Sequence, residues 1–254
     1  LLFFYFPIAR PLRSLRRPWR VVENRAELGR SRTLRLAPDG HGGCGFEGGQ
    51  FAWVHLGRWP FSYAQHPISF SSSGELAAET GEVAFTIKAL GDWSNGRVPA
   101  VEAGDRVWLD GPHGVFTIDR LQGPGYVFIA GGVGITPIHS MLATMADRGD
   151  LRPAYLFFGG QDADSLTLRE EVLALRNRMN LEVIMTLTEP PPIWPGETGR
   201  ITPQMLLRYL PEKGFRRWIY IICGPNPMID AMESVLASMG VPPEQVHAER
   251  FNMV

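Results

Sequence analysis

The feature that most constrains this chain begins at Gly123. From there to the C-terminus one pattern repeats: an apolar strand, a loop bearing Gly or Pro, then a helix. Strands are predicted at 126–130, 153–158, 181–187, 218–223 and 246–250. Helices are predicted at 136–147, 165–178, 202–209 and 227–239, and the proline-rich stretch 189–198 reads as a loop. Strands alternating with helices imply a doubly wound parallel sheet covered on both faces. Ligands of such sheets lie beyond the carboxyl ends of the strands.

The upstream half follows a different period. Short runs rich in Val, Thr, Phe and Trp occupy 20–27, 32–36, 50–56, 68–72, 82–89 and 105–109, separated by turn residues. Six runs at this spacing predict a small antiparallel barrel. Gly and Pro interrupt both patterns near 121–125, so the chain divides into a barrel at 19–122 and an α/β domain at 123–254, with a site expected between them.

Residues 1–18 need a separate account. The whole chain has 25 Lys+Arg and 26 Asp+Glu, a net charge of −1, which argues against the broad basic face of a nucleic-acid binder. Residues 1–35 nevertheless hold nine Arg against two Glu. Leu1 to Ile8 is wholly apolar, and Arg10, Arg13, Arg16, Arg17 and Arg20 follow. Eight residues are too few to span a bilayer, and a signal peptide would place its charges first. Apolar-then-Arg fits the cytoplasmic end of a membrane helix. The segment is therefore expected to be a transmembrane remnant with an Arg-rich juxtamembrane linker at inner-leaflet lipid. The alternative is an amphipathic N-terminus, which Pro11 and Pro18 oppose.

Several motifs carry chemistry. Gly40-His41-Gly42-Gly43-Cys44-Gly45 has the spacing of a dinucleotide fingerprint, but a strand follows it where a helix is required, so it reads as a turn. Gly131-Gly132-Val133-Gly134-Ile135-Thr136-Pro137 does follow a strand and open a helix, so its free N–H groups suit a phosphate; the plain alternative is a tight strand–helix turn. Cys223-Gly224-Pro225-Asn226-Pro227-Met228 joins another strand to a helix at the same edge. Cys44 and Cys223 are the only cysteines, so a disulfide framework and a Cys₄ cluster are both excluded. No base lies near Cys223 in sequence, which argues against a nucleophile. His66-Pro67-Ile68-Ser69-Phe70-Ser71-Ser72-Ser73 offers hydroxyls on a barrel strand. His41, His55, His113, His139 and His247 lack metal-ligand spacing, and no metal site is expected.

Taken in order, the motifs resemble the ferredoxin–NADP reductase superfamily. The matching residues are His66-Pro67-Ile68-Ser69, Ile87-Lys88-Ala89-Leu90-Gly91-Asp92-Trp93-Ser94, Gly111-Pro112-His113-Gly114, the Gly131 loop, Cys223-Gly224-Pro225 and Glu249-Arg250-Phe251. His-Pro-Ile-Ser replaces the usual Arg-x-aromatic-Ser/Thr, which looks like the NADPH oxidase and ferric reductase branch.

The resemblance implies an FAD-binding barrel followed by an NAD(P)-binding domain. Ser69 would lie near the flavin ring and His66 near its pyrophosphate, with Pro67 and Ile68 on the same strand. Ile87, Lys88, Trp93 and Ser94 would line the flavin phosphates and adenosine. Gly131, Gly132, Gly134, Ile135, Thr136 and Pro137 would hold the nicotinamide cofactor's pyrophosphate. Cys223, with Gly224, Pro225 and Met228, would sit beside the nicotinamide, and Phe251 would stack on the flavin. Gly160 and Gln161 lie where family members meet the 2′ position, and Asp162 and Asp164 there lean towards NADH. The implied activity is oxidation of NAD(P)H through FAD. Electrons would pass to a haem-containing transmembrane domain of the same polypeptide, then to oxygen or ferric iron. The alternatives are a soluble NAD(P)H–flavin reductase serving a separate carrier, and a non-catalytic flavin-binding domain.

Overall fold

The computed structural model describes residues 14–57 and 65–250. Leu1 to Arg13 and Phe251 lie outside them, so neither the expected membrane remnant nor the expected flavin-stacking ring is described. Among the described residues no helix is long and apolar enough to cross a membrane.

The first sheet contains β1 (Pro18–Glu27), β2 (Ser31–Pro38), β3 (Phe51–Leu56), β4 (His66–Ser69), β5 (Val83–Lys88) and β6 (Arg106–His113). They pair antiparallel in the order β4-β3-β6-β1-β2-β5. The sheet curls until Phe70, just past β4, bridges Phe85 on β5 and brings the two edges together. Val21, Leu34, Leu36, Val54 and Phe85 point inward and are buried. Phe46 stacks on Phe70 at 3.9 Å to plug the interior.

The second sheet contains β7 (Tyr126–Gly131), β8 (Ala154–Gly160), β9 (Leu181–Leu187), β10 (Glu197–Thr198), β11 (Ile219–Gly224) and β12 (Val246–Arg250). All pairs are parallel, in the order β10-β9-β8-β7-β11-β12. Every residue of β7 and β11 is buried, the signature of central strands covered on both faces. Helices α2 (Ile135–Asp147) and α3 (Arg169–Leu175) pack with Tyr126, Phe128 and Ala130 on one face. Helices α4 (Pro203–Tyr209) and α5 (Asn226–Ser238) pack with Val127 and Ile129 on the other.

Three elements differ from expectation. Helix α1 (Gly74–Thr80) lies within the predicted barrel; Ser73 caps it by accepting from the Glu75 and Leu76 amides, and Gly81 ends it at φ 76°. The expected helix 165–178 is only α3, because Leu168 breaks it at φ 59° and a separate Ala163–Ser165 turn precedes it. The loop at 189–198 contributes β10 as a short edge strand.

Three of the arginines near the N-terminus form ion pairs on the barrel surface. Arg20 pairs with Asp39 at 3.0 Å, Arg25 with Glu27 at 2.8 Å, and Arg35 with Glu82 at 3.1 Å.

One seam joins the sheets. His139 Nδ1 lies 2.7 Å from the Ser71 carbonyl, Ser140 Oγ donates to the Ser72 carbonyl at 2.7 Å, and the Gly74 amide donates to Thr144 Oγ1 at 3.0 Å. Farther out, Ser31 meets Thr167 at 3.2 Å, Arg148 meets Glu75 at 2.6 Å, and Arg25 meets Glu171.

Candidate functional site

The chain winds outward from β7 to β10 and then crosses to β11 on the other side, so the strand order reverses between β7 and β11. A cleft opens at that point of a parallel sheet. The two glycine loops of the sequence end these two strands. A 3₁₀ turn at Gly132–Gly134 runs straight into α2, so that helical run starts after Gly131, and α5 starts after Pro225; neither start has a side-chain cap, but at α5 Pro227 has no N–H and the Met228 amide already donates to the Pro225 carbonyl at 2.9 Å. Uncapped amides and the positive end of the helix dipole favour an anion.

The glycines serve two purposes. A Cβ on Gly131 would lie 2.6 Å from Met228 Sδ, and one on Gly224 2.5 Å from Met228 Cε. A Cβ on Gly134 would lie 2.2 Å from the Cys223 carbonyl oxygen. These three let the strand ends and α5 approach closely. Gly132 differs: its φ is +54°, and the nearest atom to its missing Cβ is Lys88 Nζ at 3.7 Å. Open space therefore lies over Gly132, with a cation from the barrel at its edge. Thr136 Oγ1 turns back to the Val133 carbonyl at 2.9 Å and fixes the loop, while Ile135, Thr136 and Pro137 are buried beneath it.

Cys223 is fully buried, and burial together with Glu249 pushes its thiol well above its ordinary range. It stays a neutral thiol. Glu249 lies opposite Cys223 in the β11–β12 register, and burial pushes its carboxyl up to about 7. Glu249 belongs to the Glu249-Arg250-Phe251 motif, although the motif alone does not mark it as a site residue. Its closeness to Cys223 depends on the parallel register of two strands, which the linear sequence does not display.

Across the seam, Ser69 ends β4 and is buried, next to Ile68, while Pro67 is exposed. His66 stacks on Trp93 at 4.0 Å and 26°, joining two residues chosen from separate motifs. Burial and nearby His55 hold His66 below the ordinary histidine range. Ser94 Oγ accepts from the Leu90 and Gly91 amides at 2.8 and 2.9 Å and donates to the Gly91 carbonyl at 3.0 Å. That hydroxyl closes its own loop. Ile87 is buried with its side chain in the barrel core, away from the lining expected of it.

At the far end of the cleft, a Cβ on Gly160 would meet Ser165 Oγ at 2.6 Å, and Gln161 Nε2 donates to Glu189 Oε1 at 3.1 Å. Asp162 accepts from the Ser165 amide at 2.8 Å and caps the Ala163–Ser165 turn. Arg169 pairs with Glu170 at 2.8 Å.

Comparison with known proteins agrees with this geometry. Residues 128–234 match the family model of the oxidoreductase NAD-binding domain. The chain is 31% identical over 227 residues to the propane 2-monooxygenase reductase component of Rhodococcus jostii, covering 86% of the chain and 59% of the relative. It is 31% identical over 148 residues to NADH-cytochrome b5 reductase 1 of Cryptococcus neoformans, covering 55% of the chain and 50% of that protein. The chain thus spans about half to three-fifths of the length of these curated relatives. Among solved structures, the FAD/NAD-binding domain of nitric oxide dioxygenase from Vibrio cholerae superposes with a TM-score of 0.80 at 22% identity, covering 92% of the chain and 98% of that domain.

Proposed function

For a chain that carries the ferredoxin reductase-like FAD/NAD-binding fold, we propose the role of an NAD(P)H-dependent flavin reductase module that delivers electrons to a separate carrier protein. One observation carries this reading. The open Gly132 turn begins the helical run into α2 with no side-chain cap and has Lys88 Nζ at its edge, while the Ser69 strand lies just across the seam. A helix start beside a cation suits a pyrophosphate, and open space over a backbone without a Cβ lets it approach. The residues present therefore fit a nicotinamide dinucleotide on the parallel sheet and FAD on the barrel.

When bound, FAD supplies acceptance of a hydride from the reduced nicotinamide and release of electrons one at a time. The protein's own residues bind, orient and exclude water. Gly132, in the turn that Thr136 fixes, would hold the dinucleotide's phosphates, and Lys88 at its edge would neutralise their charge. His66 and Trp93 flank the flavin's phosphate end. Ser69, at the end of the barrel strand, would lie at the flavin ring, and Cys223, whose thiol is buried and neutral, would add no charge to the nicotinamide site. Phe251 would cover the exposed flavin face; Phe251→Ser is expected to raise the rate or affinity of nicotinamide binding, read by stopped-flow absorbance, with the melting temperature unchanged.

The reductase components and cytochrome b5 reductase among the relatives favour a separate protein acceptor. The His-Pro-Ile-Ser motif and the apolar-then-Arg N-terminus favour a second reading, in which the module feeds a haem domain in a membrane. Mixing the FAD-loaded chain with NADH and with NADPH tests the function directly. Bleaching of the flavin is expected; an unbleached flavin would leave only a binding role. A [2Fe–2S] carrier re-oxidising the reduced flavin faster than oxygen or ferric iron would favour the first reading, and the reverse order the second.

A further inference from the structure

We propose that His139, Ser140 and Thr144 are positioning residues that hold the nicotinamide loop at a fixed distance from the flavin strand. The proposal rests on the function inferred above. It starts from the Gly48-Gly49 pair, which the functional reading leaves unexplained. A Cβ on Gly48 would meet Thr144 Oγ1 at 2.8 Å and Met141 Cα at 3.0 Å, and one on Gly49 would meet Met141 Cε at 2.4 Å. At Gly48 the barrel backbone therefore lies directly against the backbone of α2, and at Gly49 the Met141 side chain of α2 fills the space a Cβ would take.

Against that surface, three side chains of α2 take up three backbone groups of one segment: the Ser71 carbonyl, the Ser72 carbonyl and the Gly74 amide. Ser140 and Thr144 are one turn apart and fully buried. Thr144 Oγ1 also donates to the Ser140 carbonyl at 2.7 Å, so its one proton is spent and its lone pair is aimed at Gly74. Because Ser71 offers a carbonyl, His139 Nδ1 must carry the hydrogen. Burial holds this imidazole below its ordinary range, against the smaller opposite pull of the Ser71 carbonyl and of the charges of Glu171 and Glu27. It remains a neutral donor at pH 7.

The fastened segment begins two residues after Ser69, and α2 begins one residue after Gly134. The path from flavin strand to nicotinamide loop is thus two residues of strand and about one turn of helix. Hydride transfer needs its atoms about 3–3.5 Å apart, and a displacement of about 1 Å costs about 100-fold. Of the outer contacts, Arg25–Glu171 and Arg148–Glu75 are exposed ion pairs and set distance poorly, and the Ser31–Thr167 bond lies before α3, away from the nicotinamide loop.

Thr144→Val removes the hydroxyl at constant shape, Ser140→Ala removes the second bond, Thr144→Ser restores the first, and Glu75→Gln breaks only an outer ion pair. In the protein without cofactors, Thr144→Val should speed hydrogen exchange at the Gly74 amide at least tenfold. In the FAD-loaded protein, Thr144→Val with Ser140→Ala should slow flavin reduction by about tenfold or more. The dissociation constant for NADH should stay within about threefold, and the long-wavelength charge-transfer band, which reports ring contact, should weaken. Thr144→Ser and Glu75→Gln should behave as wild type. Reduction rate and band unchanged in the double variant, with wild-type flavin bleached normally, would overturn this proposal alone. Equal losses in Glu75→Gln would overturn it too, since any weakening of the seam would then suffice. A wild-type flavin left oxidised by both nicotinamides would overturn the functional reading and this proposal with it.

Discussion

Alanine at position 134 would put a methyl 2.2 Å from the Cys223 carbonyl, whereas alanine at 132 would meet nothing closer than Lys88 Nζ. Gly134→Ala must push two strand ends apart, at a cost of about 1–3 kcal/mol. Gly132→Ala strains only its own left-handed backbone, at about 1–2 kcal/mol. Urea titration should find the first variant at least as destabilised, while isothermal titration with NADH should find the second weakened through the lost opening. Glu249 gives a prediction in pH. Its folded value of about 7 lies above that of an unfolded glutamate, about 4.3. Between those values the folded state keeps a proton that the unfolded chain gives up, so stability falls as pH rises through this window. Glu249→Gln cannot lose that proton, and its melting temperature should match wild type near pH 4.5 and exceed it at pH 8. A constant offset across the range would show that burial of Glu249 is not the cause. The strand before Gly131, Gly132 and Gly134 and the helix after them were legible in the sequence, and with them a candidate site. Why each is glycine was not, because the atoms that crowd Gly131 and Gly134 come from residues 223–228.

Asp162 shows what an element demands of a residue that also has a candidate function. The sequence offers a carboxylate where the dinucleotide's ribose is expected; the structure uses it as the cap of the Ala163–Ser165 turn. Asp162→Ala should cost about 1 kcal/mol through the lost cap. Asp162→Asn keeps the cap and removes the charge, so its stability should stay within about 0.5 kcal/mol of wild type. Its NADPH-to-NADH ratio of kcat/KM should rise if the carboxylate repels the 2′-phosphate, and an unchanged ratio would reduce Asp162 to a cap. Signals for α1 were present in Ser73, Glu75 and Gly81, but they sat inside a run of strand-like residues that dominated the pattern. Nothing local announces the break before α3, since Leu168 takes a left-handed backbone against its own preference.

At the scale of the molecule, the change of period at Gly123 was enough to reveal an antiparallel sheet followed by a parallel one, because each period permits one arrangement. The Phe70–Phe85 bridge and the seam were not legible, since they join residues distant in sequence, and in the seam one partner is main chain. A buried, hydrogen-bonded seam should make the two sheets unfold together. Calorimetry of the intact chain should give one transition with equal calorimetric and van't Hoff enthalpies; two resolved transitions would mean the seam is weaker than its geometry. The seam also bears on exchange of parts between proteins. His139, Ser140 and Thr144 recognise carbonyls and an amide that any sequence would present at those positions, so the barrel can drift in composition without losing its mate. A chimera pairing this α/β half with a relative's barrel should dock wherever the foreign backbone keeps the curve of residues 71–74 and leaves positions 48 and 49 bare. Compatibility between halves is then a matter of path and of two missing methyl groups, and a library of swapped barrels could be sorted by those two criteria before any is expressed.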